Sequence, residues 1–178
     1  MKPMKFFIAT GFALAVLAPA VHAETARWSP EKANAWYANQ RWLVGSNYIN
    51  SSAINQLEMW QADTFNPAEI DRELGYAEGI GMNTMRVFLH DQLWAQDPEG
   101  FKKRIDTFLD SAAKHHIKPM LVLFDSCWDP YPRLGIQPAP IPGVHNSGWV
   151  QSPGVMGLRE ENTANLKAYV EGIVGAFG

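Results

Sequence analysis

The chain has 178 residues, 47% hydrophobic and 19% charged, with a formal net charge of −3. Such a balance excludes a disordered polymer and a bundle of membrane spans, and no basic stripe invites nucleic acid. One cysteine, Cys127, leaves no internal disulfide, so stability has to come from an apolar core.

The first 23 residues read as a signal peptide. Lys2 and Lys5 precede the apolar run FFIATGFALAVLAP, which is too short for a spanning helix. VHA at 21–23 places small residues where a signal peptidase reads. Cleavage after Ala23 leaves 178 − 23 = 155 residues, 24–178, in a secreted or periplasmic protein; a membrane anchor is the alternative. Basic residues then number 15 − 2 = 13 against 18 acids, a net charge of −5 that favours an uncharged substrate.

Ser29, Pro30 and Glu31 open a short helix, with serine as N-cap and proline in the first turn. WLVGSNYI (42–49) reads as the first strand, its Gly45 marking a close backbone approach. The following NSSAINQLEMWQADTF reads as a loop. Asn66-Pro67 starts a helix whose Ile70, Leu74, Ala77 and Ile80 share one face, and Gly81 stops it. MNTMRVFL (82–89) is the second strand, HDQLWAQ a loop, and Asp97-Pro98 the start of a helix striped by Phe101, Ile105, Phe108, Leu109 and Ala112. KPMLVLF (118–124) is the third strand. From Asp125 to about Gly157 lie six of the twelve prolines, a density that excludes regular structure. A last helical face runs through Leu166, Tyr169, Val170, Ile173, Val174 and Phe177.

Alternating strands and helices predict an α/β fold with a parallel sheet. Long aromatic loops after strands and short ones after helices suit a (β/α)8 TIM barrel, whose active site lies at the C-terminal strand ends. An open doubly wound sheet is the other arrangement, but no strand is followed by a glycine-rich phosphate turn.

Period-two alternation puts Met85, Val87 and Leu89 under the helices, and Thr84, Arg86, Phe88 and His90 on the opposite, inward face. Arg86 then either keeps a catalytic carboxylate ionised or forms a structural ion pair. His90 and Asp91 face the mouth, where histidine either touches substrate or is an ordinary loop residue. His115 and His116 are adjacent, cannot both face one site, and read as charge partners at a helix C-terminus. No metal site is expected: the first strand does not end in His-x-His. Cys127 has no evident base partner.

Trp60, Trp94, Trp128 and Trp149 all leave C-terminal strand ends, and indoles stack on the C–H faces of sugar rings. With His145 and Asn146 of HNSGW they suggest a polar, aromatic cleft for carbohydrate. The alternative for each is a loop-anchoring hydrophobic cluster.

The stretch from WLVGSNYIN through GMNTMRVFLHD, with KPMLVLFDSCWDP and PGVHNSGWVQSPG, resembles exported bacterial cellulase-like and xylanase-like proteins related to glycoside hydrolase family 5. The resemblance covers nearly all of residues 24–178. It implies a (β/α)8 barrel, a retaining two-glutamate hydrolysis of β-linked glycans, and no cofactor. The family's nucleophile-assisting arginine near the end of strand two matches Arg86, and a site-lining strand-one position matches Asn47. The family's two glutamates follow strands four and seven, beyond the three βα units read here, whereas a whole barrel takes about 250 residues. Glu58, Glu69, Glu73 and Glu78 precede strand two or flank it and cannot substitute. The expectation is therefore an N-terminal barrel portion, inactive alone, with unpaired strand edges prone to self-association. A non-catalytic carbohydrate-binding protein is the alternative, and an unrelated α/β binding protein is a third reading.

Overall fold

The computed structural model describes residues 27–178; the signal-peptide reading of 1–23 lies outside the described residues. The described residues up to Gln40 form one compact unit and Arg41–Gly178 another. The first holds helix α1, Pro30–Ala38. Ser29 caps it by accepting the Lys32 N–H at 3.2 Å, and Trp36 meets Trp28 edge-on at 6.2 Å.

The second unit is built on a parallel sheet of strands β1 (Gly45–Tyr48), β2 (Thr84–Phe88) and β3 (Lys118–Val122), in spatial order β1-β2-β3. Helix α3 (Pro67–Gly79) connects β1 to β2, and α5 (Pro98–Lys114) connects β2 to β3. Asn66 caps α3 through the Glu69 N–H and Asp97 caps α5 through the Gly100 N–H, each with proline in the first turn as the sequence suggests. Two short helices, α2 (Gln56–Trp60) and α4 (Asp91–Gln96), stand where loops were expected. Helix α6 spans Thr163–Phe177 and follows a 3-10 turn, Glu160–Asn162. Residues 125–157 carry no helix or strand, only two isolated bridges. No helix among the described residues is long and apolar enough to cross a membrane.

The core lies on one side of the sheet. Met85, Val87 and Leu89 are buried with Ile70 and Leu74 of α3 and with Phe101, Ile105 and Phe108 of α5. The period-two expectation for this face holds. Gly45 is forced by strand pairing: a Cβ there would sit 1.9 Å from the Thr84 carbonyl oxygen. The other face is bare at its centre. The register aligns Asn47, Arg86 and Met120 in one row across the three strands, and all three are exposed.

His115 and His116, expected to face apart, both reach Glu78: His115 Nδ1 lies 3.1 Å from one carboxylate oxygen and His116 Nδ1 2.7 Å from the other. His116 adopts φ +56, which turns its ring back towards α3. His115 Nε2 also meets Asp71 at 2.9 Å, and Lys114 and Ser111 bond the same Asp71. These contacts tie the C-terminal end of α5 to α3, so the two rings do share one partner, Glu78.

Candidate functional site

The bare sheet face continues into a band of rings. Arg86 donates to Asn47 Oδ1 at 3.5 Å, and its guanidinium carbon lies 4.6 Å from the centre of the Phe88 ring. Phe88 lies 6.4 Å from Trp149, which meets Trp128 edge-on at 5.4 Å. Trp128 meets His145 at 5.6 Å, and Asn146 Nδ2 donates to His145 Nε2 at 3.1 Å. Asn47, Arg86, Trp128, Trp149, His145 and Asn146 are thus brought together in one continuous strip.

The carboxylate partner expected for Arg86 is not there. The arginine ion pairs among the described residues belong to Arg72, Arg104 and Arg159. The physical reason is solvation. Arg86 is exposed on the sheet face opposite α3 and α5, so its charge pays little desolvation cost and needs no counter-ion. Phe88 and Asn47 supply a cation–π contact and one long hydrogen bond instead.

Three residues read as substrate contacts are placed elsewhere. Trp60 is fully buried on α2, stacked against Phe65 and meeting Phe101 and Phe108 edge-on, with Nε1–H donating to the Phe88 carbonyl at 2.9 Å. Once 56–60 coil into a helix, its indole turns inward. His90 is also fully buried, as the N-cap of α4. Nδ1 accepts the Gln92 N–H at 3.1 Å and Nε2 donates to the Gln151 carbonyl at 3.0 Å. Those bonds place the ring proton on Nε2, so none is left for Asp91 Oδ1, 3.1 Å from Nδ1, and that contact is not an ion pair. Trp94 packs between α4 and α6, 6.3 Å from Tyr169. Gly172 makes room for it: a Cβ there would fall 1.9 Å from the indole.

What holds the irregular 125–157 segment against α2 is not legible in the sequence. It is a set of buried amides. Asn55 caps α2 with Oδ1 and with Nδ2 donates to Gln137 Oε1 and to the Gly148 carbonyl, both at 2.9 Å. Gln56 donates to the Val150 carbonyl at 2.8 Å, and Gln61 to the Gly135 carbonyl at 3.1 Å. Backbone bonds from Asp129 to Trp149 and from Gln151 to Asp129 close the segment on itself. Because a proline-rich segment cannot satisfy its own backbone, side-chain amides do so. Two site residues sit in left-handed backbone: Trp128 at φ +80 and Asn146 at φ +51. Beside Trp149 the segment lines a solvent-open cavity of about 440 Å³, bordered also by Asp129, Tyr131, Arg133 and Gln137.

Glutamates cluster on the far side of the β1 loop. Glu69 accepts from Asn50 Nδ2 at 2.7 Å and from the Ser51 and Ser52 hydroxyls, and it also pairs with Arg72. The Ser52 hydroxyl bond, followed by that from Asn50, holds its carboxyl down at about 2. Glu73 accepts from the Ser51 N–H and from the Tyr48 hydroxyl at 2.9 Å. Burial, reinforced by Glu73, pushes the Tyr48 phenol up. Both glutamates are spent on fixing residues 50–52. Cys127 is exposed and unpaired with any other cysteine. Among the described residues no three His, Cys, Asp or Glu side chains gather where they could hold a metal ion. The chain matches no protein-family model, no curated protein and no solved structure.

Proposed function

We propose that Arg41–Gly178 is an arc of a (β/α) barrel whose open face binds a β-linked glycan. Three features support the barrel. The strands are parallel and lie in chain order, both connecting helices pack against one face, and the long segments leave the C-terminal strand ends. One observation carries the ligand class: Asn47 and Arg86 adjoin Trp149, Trp128 and His145 across the Phe88 ring, which is itself buried and serves as the link between them. Indole faces accept the C–H faces of sugar rings, while the guanidinium, amide and imidazole bond hydroxyls. Aromatic walls with a few placed polar groups are what ligand clefts require.

Retaining hydrolysis needs two carboxyls about 5–5.5 Å apart over the same face. The strand residues of the bare face include no carboxyl: the rows are Gly45, Thr84 and Lys118, then Asn47, Arg86 and Met120, then Phe88 and Val122. The role assigned to this chain is therefore binding and orienting the glycoside. In the glycosidase form of the reading, carboxyls from other strands cut it and Arg86 keeps the nucleophile ionised. Titration calorimetry with manno-, xylo- and cello-oligosaccharides tests the binding. The chain should bind at least one series, and Arg86→Ala and Trp149→Ala should each weaken binding about tenfold or more. A chain that binds none of the three refutes it. Release of reducing sugar by the isolated chain would refute the division of labour.

A further inference from the structure

We infer that the cavity behind Trp149 is a second glycosyl subsite, built for a neutral sugar unit that presents a vicinal diol. This rests on the carbohydrate reading above and extends it. The cavity, about 440 Å³, falls within the roughly 300–1,000 Å³ of small-molecule clefts and shares Trp149 with the aromatic strip. A glycan lying along the strip therefore passes Trp149 into it.

Hydrogen-bond accounting separates wall from ligand groups. Gln137 is committed: Oε1 accepts from Asn55, and Nε2 donates to the Arg133 and Gly135 carbonyls. Ser147 is committed to the backbone of Ile141 through both its donor and its acceptor capacity. Asp129 spends only Oδ1, which accepts the Tyr131 N–H at 2.9 Å, and that bond aims the carboxylate. The Arg133 guanidinium is outside the arginine ion pairs, which belong to Arg72, Arg104 and Arg159. Asp129 and Arg133 thus line one cavity with opposite charges and do not neutralise each other by contact.

Adjacent sugar hydroxyls suit this pair. One donates to the carboxylate, its neighbour accepts from the guanidinium, and the Tyr131 and Trp149 rings take the apolar ring face. A uronate or phosphate gains Arg133 but meets the Asp129 charge, so an uncharged unit fits better.

The test is calorimetry on the full chain with manno-, xylo- and cello-oligosaccharides from disaccharide to hexasaccharide. Arg133→Ala and Tyr131→Ala should weaken hexasaccharide binding about tenfold and leave disaccharide binding unchanged, because only the longer ligand reaches the cavity. Both positions are exposed, so the variants should fold like the parent, and matching circular dichroism melts check this. Asp129→Asn, which keeps the Tyr131 bond, should lose affinity for the hexasaccharide in the same way. Hexasaccharide binding unaffected in all three variants overturns the second subsite and leaves the first reading standing. A parent chain that binds no oligosaccharide overturns both.

Discussion

Replacing Trp60 by phenylalanine separates a core tryptophan from a sugar-stacking one. The indole is fully buried, and its N–H is a partner of the Phe88 carbonyl at the end of β2. Phenylalanine leaves that carbonyl without this donor, a cost of about 1–3 kcal/mol. It also removes roughly 40 Å³ of side chain, worth about 1 kcal/mol at about 24 cal/mol per Å³. The expected loss is about 2–4 kcal/mol, and Trp60→Ala should lose still more because the contacts with Phe65, Phe101 and Phe108 go too. Either is a large share of the 5–15 kcal/mol that holds a typical domain together. Urea unfolding followed by far-ultraviolet circular dichroism reads it as a lower midpoint at unchanged slope. Glycan affinity of the folded Trp60→Phe protein should match that of the parent. A variant of parental stability with weakened glycan binding would return this indole to the rim and refute the burial reasoning.

Trp128 tests the left-handed backbone. Alanine at φ +80 keeps a penalty of about 1–2 kcal/mol that glycine escapes, so Trp128→Gly should melt above Trp128→Ala while both bind glycan weakly; equal melts would count against it. Gly45→Ala should cost about 2 kcal/mol or more by thermal melt, since its Cβ collides with the Thr84 carbonyl, and an unchanged melt would deny the β1–β2 register. Acid should unfold the protein through its bonded carboxylates. Glu69 and Asp71 are held at about 2, the latter chiefly by Lys114 and then His115; His116 and His115 lower Glu78, and the Gly100 N–H lowers Asp97. Folded values below the unfolded ones of about 4 mean that this stabilisation is complete above about pH 4.5 and lost towards pH 2, so the urea midpoint should fall across that window, and less so in Glu69→Gln. The β3 edge carries Lys118 and Pro119, which discourage strand addition, whereas β1 offers Gly45–Tyr48 with no such guard. If the chain self-associates in sedimentation runs, Asn47→Pro, which removes an N–H on the free side of β1, should shift it towards monomer, and an unchanged distribution would count against the β1 edge.

The reach of sequence reading follows element length. Helices α3 and α5 were legible because 13 and 17 residues carry both a cap signal and several repeats of the apolar stripe. Helices α2 and α4 have five and six residues, less than two turns, so no period can show. Those two short helices carry Trp60 and Trp94 and hold His90 as a cap, so the positions of these three residues depend on elements too short to show a period. The first strand is shorter than its apolar run for another reason. Residues 42–44 are apolar, but the Asn83 side chain takes over their pairing, accepting from the Val44 N–H and donating to the Trp42 carbonyl, both at 2.8 Å. Of the site, the aromatic and polar types were legible in HNSGW and DSCWD. Asp129, Tyr131 and Arg133 were not, because a turn of prolines hides which side chains share a cavity.

The exposure of Arg86 is better understood from its row than from its own partners. Asn47, Arg86 and Met120 stand side by side across three strands, and Met120 remains 57% exposed. A solvated arginine adds little to stability, and a bare methionine forgoes the burial free energy that a core position would give. Stability of Arg41–Gly178 therefore does not account for this row, whereas it fully accounts for the opposite face, where Met85 and Val87 are buried. On the glycan-binding reading proposed above, a sheet that is apolar under its helices and carries Asn47 and Arg86 on its other side keeps its main core and its ligand contacts on separate faces. In a closed barrel the same row would point inward, and burying Arg86 would then demand a carboxylate. The unpaired arginine and the missing acid are two aspects of one geometry: an open face does not require the counter-charge that a closed one would.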